Sequence, residues 1–270
     1  MTGERLIFQS DTTNLEAWGY ANKALSLNFL GKKEAVLEAR ALSEKAVKLD
    51  PSYGYAWSIH AWTYLIPVLL GYADSPADSL KRAAELAQKV EATGKAPGVF
   101  HHTMLAVYLL QGRYDEAIAE GEKAVAIVPN EADHYVFLGL ALCFAGRPNE
   151  AIANTKKAMR LYPNHPTHYF VFLGRAYELA GQYSEAIEAF NKTIEHSVKG
   201  EYPIIEAHEF LAIIYARLGQ MDKAKSHSDE LLKIDPKYTA DSFRIRYPYK
   251  DPAYTDTLVS LLVKAGLPEK

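Results

Sequence analysis

Four segments of this chain superpose on one another when aligned on a glycine: "MLAVYLLQGRYDEAIAEGEKAVAIVP", "FLGLALCFAGRPNEAIANTKKAMRLYP", "FLGRAYELAGQYSEAIEAFNKTI" and "FLAIIYARLGQMDKAKSHSDELLKIDP". Gly112, Gly146, Gly181 and Gly219 follow one another at 34, 35 and 38 residues. Ala117, Ala151, Ala186 and Ala224 stand five positions after them. A period of this length constrains the fold more than composition does. One repeat is a supersecondary unit that cannot bury its apolar face alone, so neighbouring units must stack to make a continuous core.

Each unit reads as two amphipathic helices. Phe170, Leu173, Gly174 and Tyr177 show the helical spacing of the first. The glycine ends it in a left-handed conformation. The second helix opens near Asn149 or Ser184 and turns its alanines toward the first. A small residue at Gly174 or Ala186 lets the two backbones approach. Pro51, Pro97, Pro129, Pro163 and Pro236 read as stops to second helices.

This period and pattern resemble the tetratricopeptide repeat. The match covers units at about 98–131, 132–166, 167–204 and 205–238, with looser units at 14–53 and 54–97. The unit at 54–97 carries an enlarged loop, "IPVLLGYADSPADS", and the fifth has "IEHSVKGEYPII" where a closing proline would stand. The resemblance implies an all-α fold: an α-solenoid, wound as a right-handed superhelix, of about six helix pairs plus a C-terminal capping helix. Residues 1–13 read as a leader, 14–250 as the array with a linker at its end, and 251–270 as the cap.

The cap breaks the period. Asp251 reads as an N-cap, with Pro252 at the first helical position. Leu258, Leu261, Leu262 and Ala265 form one apolar stripe, and Gly266 with Pro268 ends the helix. An open stack leaves its last apolar face bare, and such a helix can seal it.

Composition removes several classes of function. The net charge is −3 with signs interleaved, so no bulk field favours nucleic acid or an anionic membrane. Cys143 is the only cysteine, which excludes an internal disulfide and a Cys-based zinc site. The most apolar run, Tyr64 to Ala73, is about half the roughly 20 residues a membrane span needs, and Pro67 interrupts it. The start, "MTGERLIFQSDTTN", is not a signal peptide and reads as the interior of a longer chain. The expected location is the cytoplasm, or the soluble part of a membrane-tethered parent.

No catalytic motif is found: no Gly-rich phosphate loop, no nucleophile elbow, and only scattered surface carboxylates. No cofactor is expected. His101, His102, His134, His165 and His168 lie near one rim, but at no metal-ligand spacing. His101 and His134 are expected to pack between helices.

The repeat family places certain first-helix positions on a concave wall. Carried over, these are Tyr55 and Trp62, then His102, then Val136, Phe137 and Leu140, then His168, Val171, Arg175 and Glu178, then Glu209. So apolar a wall has two readings. It receives a protein or peptide ligand, or it packs on itself or on the chain's own terminus. Family members that grip chaperone C-termini use a Lys, Asn and Arg clamp. Of the matching positions His102, Ala106, Phe137, Val171 and Arg175, only Arg175 fits.

Taken in order, "EARALSEKAVKLDPSYGYAWSIHAWTYL", "KAMRLYPNHPTHYFVFLGRAYELAGQYSEAI" and "YPYKDPAYTDTLVSLLVKAGLPE" resemble the C-terminal repeat region of bacterial class III adenylate/guanylate cyclases. The resemblance implies a non-catalytic regulatory module of a signalling enzyme, since the cyclase metal-binding aspartates match nothing here. Two alternatives stand: a self-associating scaffold that dimerises a linked catalytic domain, and the tail of a winged-helix transcriptional regulator.

Overall fold

The computed structural model describes residues 11–197, 204–247 and 249–270. Fourteen helices and no strand occur among them. The chain divides into two compact units, Met1–Leu138 and Gly139–Lys270. No helix among the described residues is long and apolar enough to cross a membrane.

The first unit holds α1 (Leu15–Asn28), α2 (Lys33–Leu49), α3 (Gly54–Leu69), α4 (Pro76–Thr93), α5 (Pro97–Leu110), α6 (Tyr114–Ile127) and the first half of α7 (Ala132–Phe144). Each helix packs on the next, and α1 also meets α3, as α3 meets α5. That skip contact is the stacking of pair on pair. The second unit holds the rest of α7, then α8 (Pro148–Leu161), α9 (His168–Leu179), α10 (Tyr183–Ser197), α11 (Ile205–Arg217), α12 (Met221–Ile234), α13 (Ala240–Arg246) and α14 (Pro252–Lys264). Here α9 likewise meets both α10 and α11.

The periodic glycines make one turn four times. Gly112 has φ +74, where a Cβ would be strained, and the Arg113 N–H reaches back to the Tyr108 carbonyl at 2.9 Å. The same bond runs from Arg147 to Leu142, Gln182 to Tyr177 and Gln220 to Tyr215, each at 2.9 Å. Gly174 serves close approach instead. A Cβ there would stand 2.8 Å from the Phe190 ring, wedged between α9 and α10. Ala117, Ala151, Ala186 and Ala224 are all fully buried.

First and second helices differ in burial. Of α8, Ala151, Ile152, Thr155 and Ala158 form a single buried stripe. In α9, every residue from His168 to Glu178 except Phe170 is buried. A helix buried all round has neighbours on all sides.

Several sequence expectations change. Pro97 does not stop α4, which ends at Gly94 (φ +64); Pro97 opens α5. Pro67 does not interrupt α3, because it falls in the last turn and the helix continues to Leu69. The presumed linker before the cap contains α13. Asp251 caps α14 as expected, accepting the Ala253 N–H at 3.0 Å. The buried stripe of α14 is Thr255, Leu258, Val259 and Leu262, with Leu261 half-buried. The start of the leader, 1–10, and the core of the insertion, 198–203, lie outside the described residues.

Candidate functional site

In the first unit the first-helix positions hold aromatic rings. The Trp62 ring on α3 stacks on His102 of α5, with centroids 5.3 Å apart, and meets Phe137 of α7 edge-on at 4.7 Å. His102 lies 5.1 Å from His134, whose Nδ1 is 3.2 Å from the Ala124 carbonyl. His102, Val136 and Phe137 are buried, whereas Tyr55 and Trp62 are half-buried. Burial holds His102 well below the usual histidine range, and lowers His134 to about 4. Both are neutral packing groups at pH 7. Ring pairs of this geometry favour one fixed arrangement, so Trp62 is a rigid, partly solvated aromatic surface.

In the second unit the equivalent positions are covered by the chain's own C-terminal segment. Three carboxylates on first helices are buried: Glu178 on α9, and Glu206 and Glu209 on α11. The Tyr238 hydroxyl donates to Glu209 Oε1 and the Tyr247 hydroxyl to its Oε2, both at 2.6 Å, and Arg246 pairs with the same carboxylate. Tyr254 on α14 donates to Glu178, which also accepts from Arg217 at 3.2 Å. Burial is the main influence on Glu178 and raises its pKa; Tyr254 and Arg217 pull it back.

Arg175 sits at the centre. It ion-pairs with Glu206, and its guanidinium carbon lies 4.4 Å from the Tyr247 ring centroid. Phe144, Phe172 and Phe210 stand at 5.6, 5.6 and 5.7 Å. The Nε and Nη1 groups have no hydrogen-bond partner among the described residues, so ring faces replace acceptors on those sides. A delocalised, weakly hydrated guanidinium suits this site better than an ammonium would. Breaking a buried ion pair is costly, and the Tyr247 ring of the tail covers this one.

The backbone locks the arrangement. The Lys250 N–H donates to the Phe144 carbonyl at 2.9 Å, closing the end of α7, and Tyr249 packs on Phe144 with centroids 4.9 Å apart. The Ala240 N–H bonds the Pro268 carbonyl at 2.8 Å. Helix α14 packs on α11 and α13. The cap therefore lies along the first helices. Leu140, His168, Val171, Arg175, Glu178 and Glu209, carried over as wall positions, are buried. Sequence reasoning missed Tyr238, Tyr247 and Tyr254 as the partners of the cluster. The available signal was three glutamates and an arginine on an otherwise apolar face.

The remaining candidates pack. His101 meets Glu120 at 2.5 Å. Burial pushes the Cys143 thiol up to about 12, so it is not a thiolate at neutral pH. Among the described residues no three His, Cys, Asp or Glu side chains converge as a metal site.

Models of the tetratricopeptide repeat match residues 130–197 and 205–238. No curated protein matches the chain. Among solved structures it is similar to PilF of Pseudomonas aeruginosa, with 18% identity, a TM-score of 0.51, and coverage of 82% of this chain and 95% of that one. PilW, described as a widely conserved type IV pilus biogenesis factor, gives 20% identity and a TM-score of 0.56 over 88% and 96%. A chain of the APC/C hetero-tetramer Cut9–Hcn1 gives 17% and 0.66, over 91% of this chain but 51% of that one. At these identities the likeness is one of fold. The chain is all-helical among the described residues and carries tetratricopeptide repeats at 130–197 and 205–238.

Proposed function

We propose that the chain is a non-catalytic protein-interaction module whose partner-binding wall lies in the first unit, around Tyr55 and Trp62, with His102, Val136 and Phe137 behind them. One observation carries this reading. Trp62 is half-buried and fixed by two aromatic neighbours, whereas the matching positions of the second unit are covered by the tail. Rigid aromatic anchors at a partly open surface are the usual source of binding energy. The ligand is a protein or peptide that buries an apolar side chain against Trp62. Arg175, Glu178 and Glu209 form the seat of the tail.

Affinity capture with the intact chain, followed by quantitation of each captured partner, tests this. Trp62→Ala should remove the specific partners while the far-ultraviolet spectrum and melt stay close to wild type. An unchanged partner set with Trp62→Ala would overturn the reading. On the sequence resemblance alone, we further propose that the parent is a bacterial class III cyclase with this module at its C-terminus. The reading frame upstream of Met1 tests that directly: a cyclase domain there supports it, and any other domain refutes it.

A further inference from the structure

The enlarged loop between α3 and α4 has no part in the wall. It is held in place: the N–H groups of Tyr72 and Ala73 both donate to the Pro67 carbonyl, at 2.9 and 3.0 Å, and Gly71 makes the turn with φ +76. The loop closes one side of a cavity of about 280 Å³ between α2, the end of α3 and the start of α4. Val36, Leu37 and Pro67 supply apolar lining.

Arg40 supplies the chemistry. Its Nη2 donates to the Thr63 carbonyl at 2.7 Å and its Nε to the Thr63 hydroxyl at 3.3 Å. Its guanidinium lies 3.9 Å above the Tyr64 ring centroid. None of these partners is an anion, and among the described residues Arg40 makes no ion pair. The other cations of the lining are engaged: Lys33 lies 3.6 Å from Asp74, and Arg82 bonds Glu85 at 2.9 Å. The Asp78 carboxylate accepts the Ser75 hydroxyl at 2.7 Å. The Tyr72 hydroxyl, on a residue of the same lining, is buried without a hydrogen-bond partner among the described residues.

We infer that this cavity binds a small aryl monocarboxylate, with the carboxylate on Arg40 and the ring against the Tyr64 and Leu37 side. An uncompensated, pre-oriented guanidinium is the preferred receptor for a planar carboxylate. Charge selects the valence. Arg40 is the one cation of the lining with no carboxylate partner among the described residues, so a monoanion is matched, whereas a phosphate dianion also meets Asp74 and Asp78. Size selects the scale, because the volume is at the small end of ligand sites, room for about one substituted ring. This site is independent of the wall around Trp62.

Titration of the ¹⁵N-labelled full chain tests it, with phenylacetate, its neutral counterpart phenylacetamide, and inorganic phosphate as probes. Phenylacetate should give saturable amide shifts confined to the α3–α4 loop and the starts of α2 and α4. Phenylacetamide should bind about tenfold more weakly or worse, as expected for loss of a charge-assisted pair, and phosphate should not saturate. Arg40→Gln should abolish saturation. Leu37→Trp should do the same by filling the cavity mouth; Leu37 is 53% exposed, so that change leaves the core intact. No saturation by phenylacetate, equal binding of the amide, preference for phosphate, or wild-type binding by folded Leu37→Trp would each overturn the inference.

Discussion

Two units built from one repeat put the same helix positions to opposite uses. Between residues 11 and 138, the first helices present Tyr55 and Trp62 half-buried, backed by His102 and Phe137. Between 139 and 270, Arg175 stands at the repeat position of Trp62, and it, Glu178 and Glu209 are each no more than 2% exposed. The repeat pattern gives both sets the same backbone placement. What differs is the segment that follows: Tyr238, Arg246, Tyr247 and Tyr254 bring hydroxyls and a guanidinium to carboxylates that would otherwise face water. A repeat position is therefore a surface or a core depending on sequence outside the repeat.

The largest test removes the cover. Deleting residues 247–270 strips Glu209 of Tyr247 and Glu178 of Tyr254, and takes away Leu258, Leu262 and Leu267, each no more than 3% exposed. Burying three leucines is worth roughly 5–8 kcal/mol before entropy. The truncated chain should lose the cooperative melt of its second unit, bind a hydrophobic dye and aggregate. A truncated protein with the melting temperature and solubility of the full chain would show that the tail is an accessory and that the two walls are alike.

A smaller test stays within the cluster. Glu209→Ala leaves the Tyr238 and Tyr247 hydroxyls and the Arg246 guanidinium buried without their acceptor, and should cost about 3–5 kcal/mol in urea unfolding. Glu209→Gln keeps one acceptor oxygen and should cost about 1–3 kcal/mol. Trp62→Ala, at the other wall, should fall below both, because Trp62 already meets solvent. Equal losses at Trp62 and Glu209 would erase the distinction between an anchor surface and a tail seat.

Much of this architecture is legible in the sequence, for a physical reason. Gly112, Gly146, Gly181 and Gly219 each need a positive φ, and the alanines after them each need to vanish between helices, so geometry imposes one residue type at one spacing. The wall is harder to read. Helical spacing tells that Arg175 and Glu209 share a face, yet whether that face is wet depends on Tyr247, 72 and 38 residues further on. Contacts of that range leave no periodic trace. Helix α13 was hidden for a related reason: seven residues between Thr239 and Tyr247 are too few for an amphipathic period to show.

The smallest effect is also the one in which the two units act in the same direction. Burial lowers His60, His134 and His227 from 6.5 to about 4, and His168 to about 3. A depressed folded-state value means that the unfolded chain takes up its proton first as pH falls. The stability from keeping these rings neutral is complete above about pH 6.5 and is lost progressively between pH 6.5 and 4. Glu178 runs the other way. Its raised value means the folded state binds the proton more readily just above the usual 4.5, which stabilises the second unit as pH falls through that window. Burial raises Asp11 of the first unit in the same way, so each unit carries an offset of this kind. Urea midpoints at pH 7.5, 6.0 and 5.0, read from a label on each unit, should fall in both. His134→Gln should flatten the first unit's slope by about 1–2 kcal/mol over that range, because its ring is the proton acceptor removed. A midpoint independent of pH would mean that the buried histidines already reach water in the folded chain.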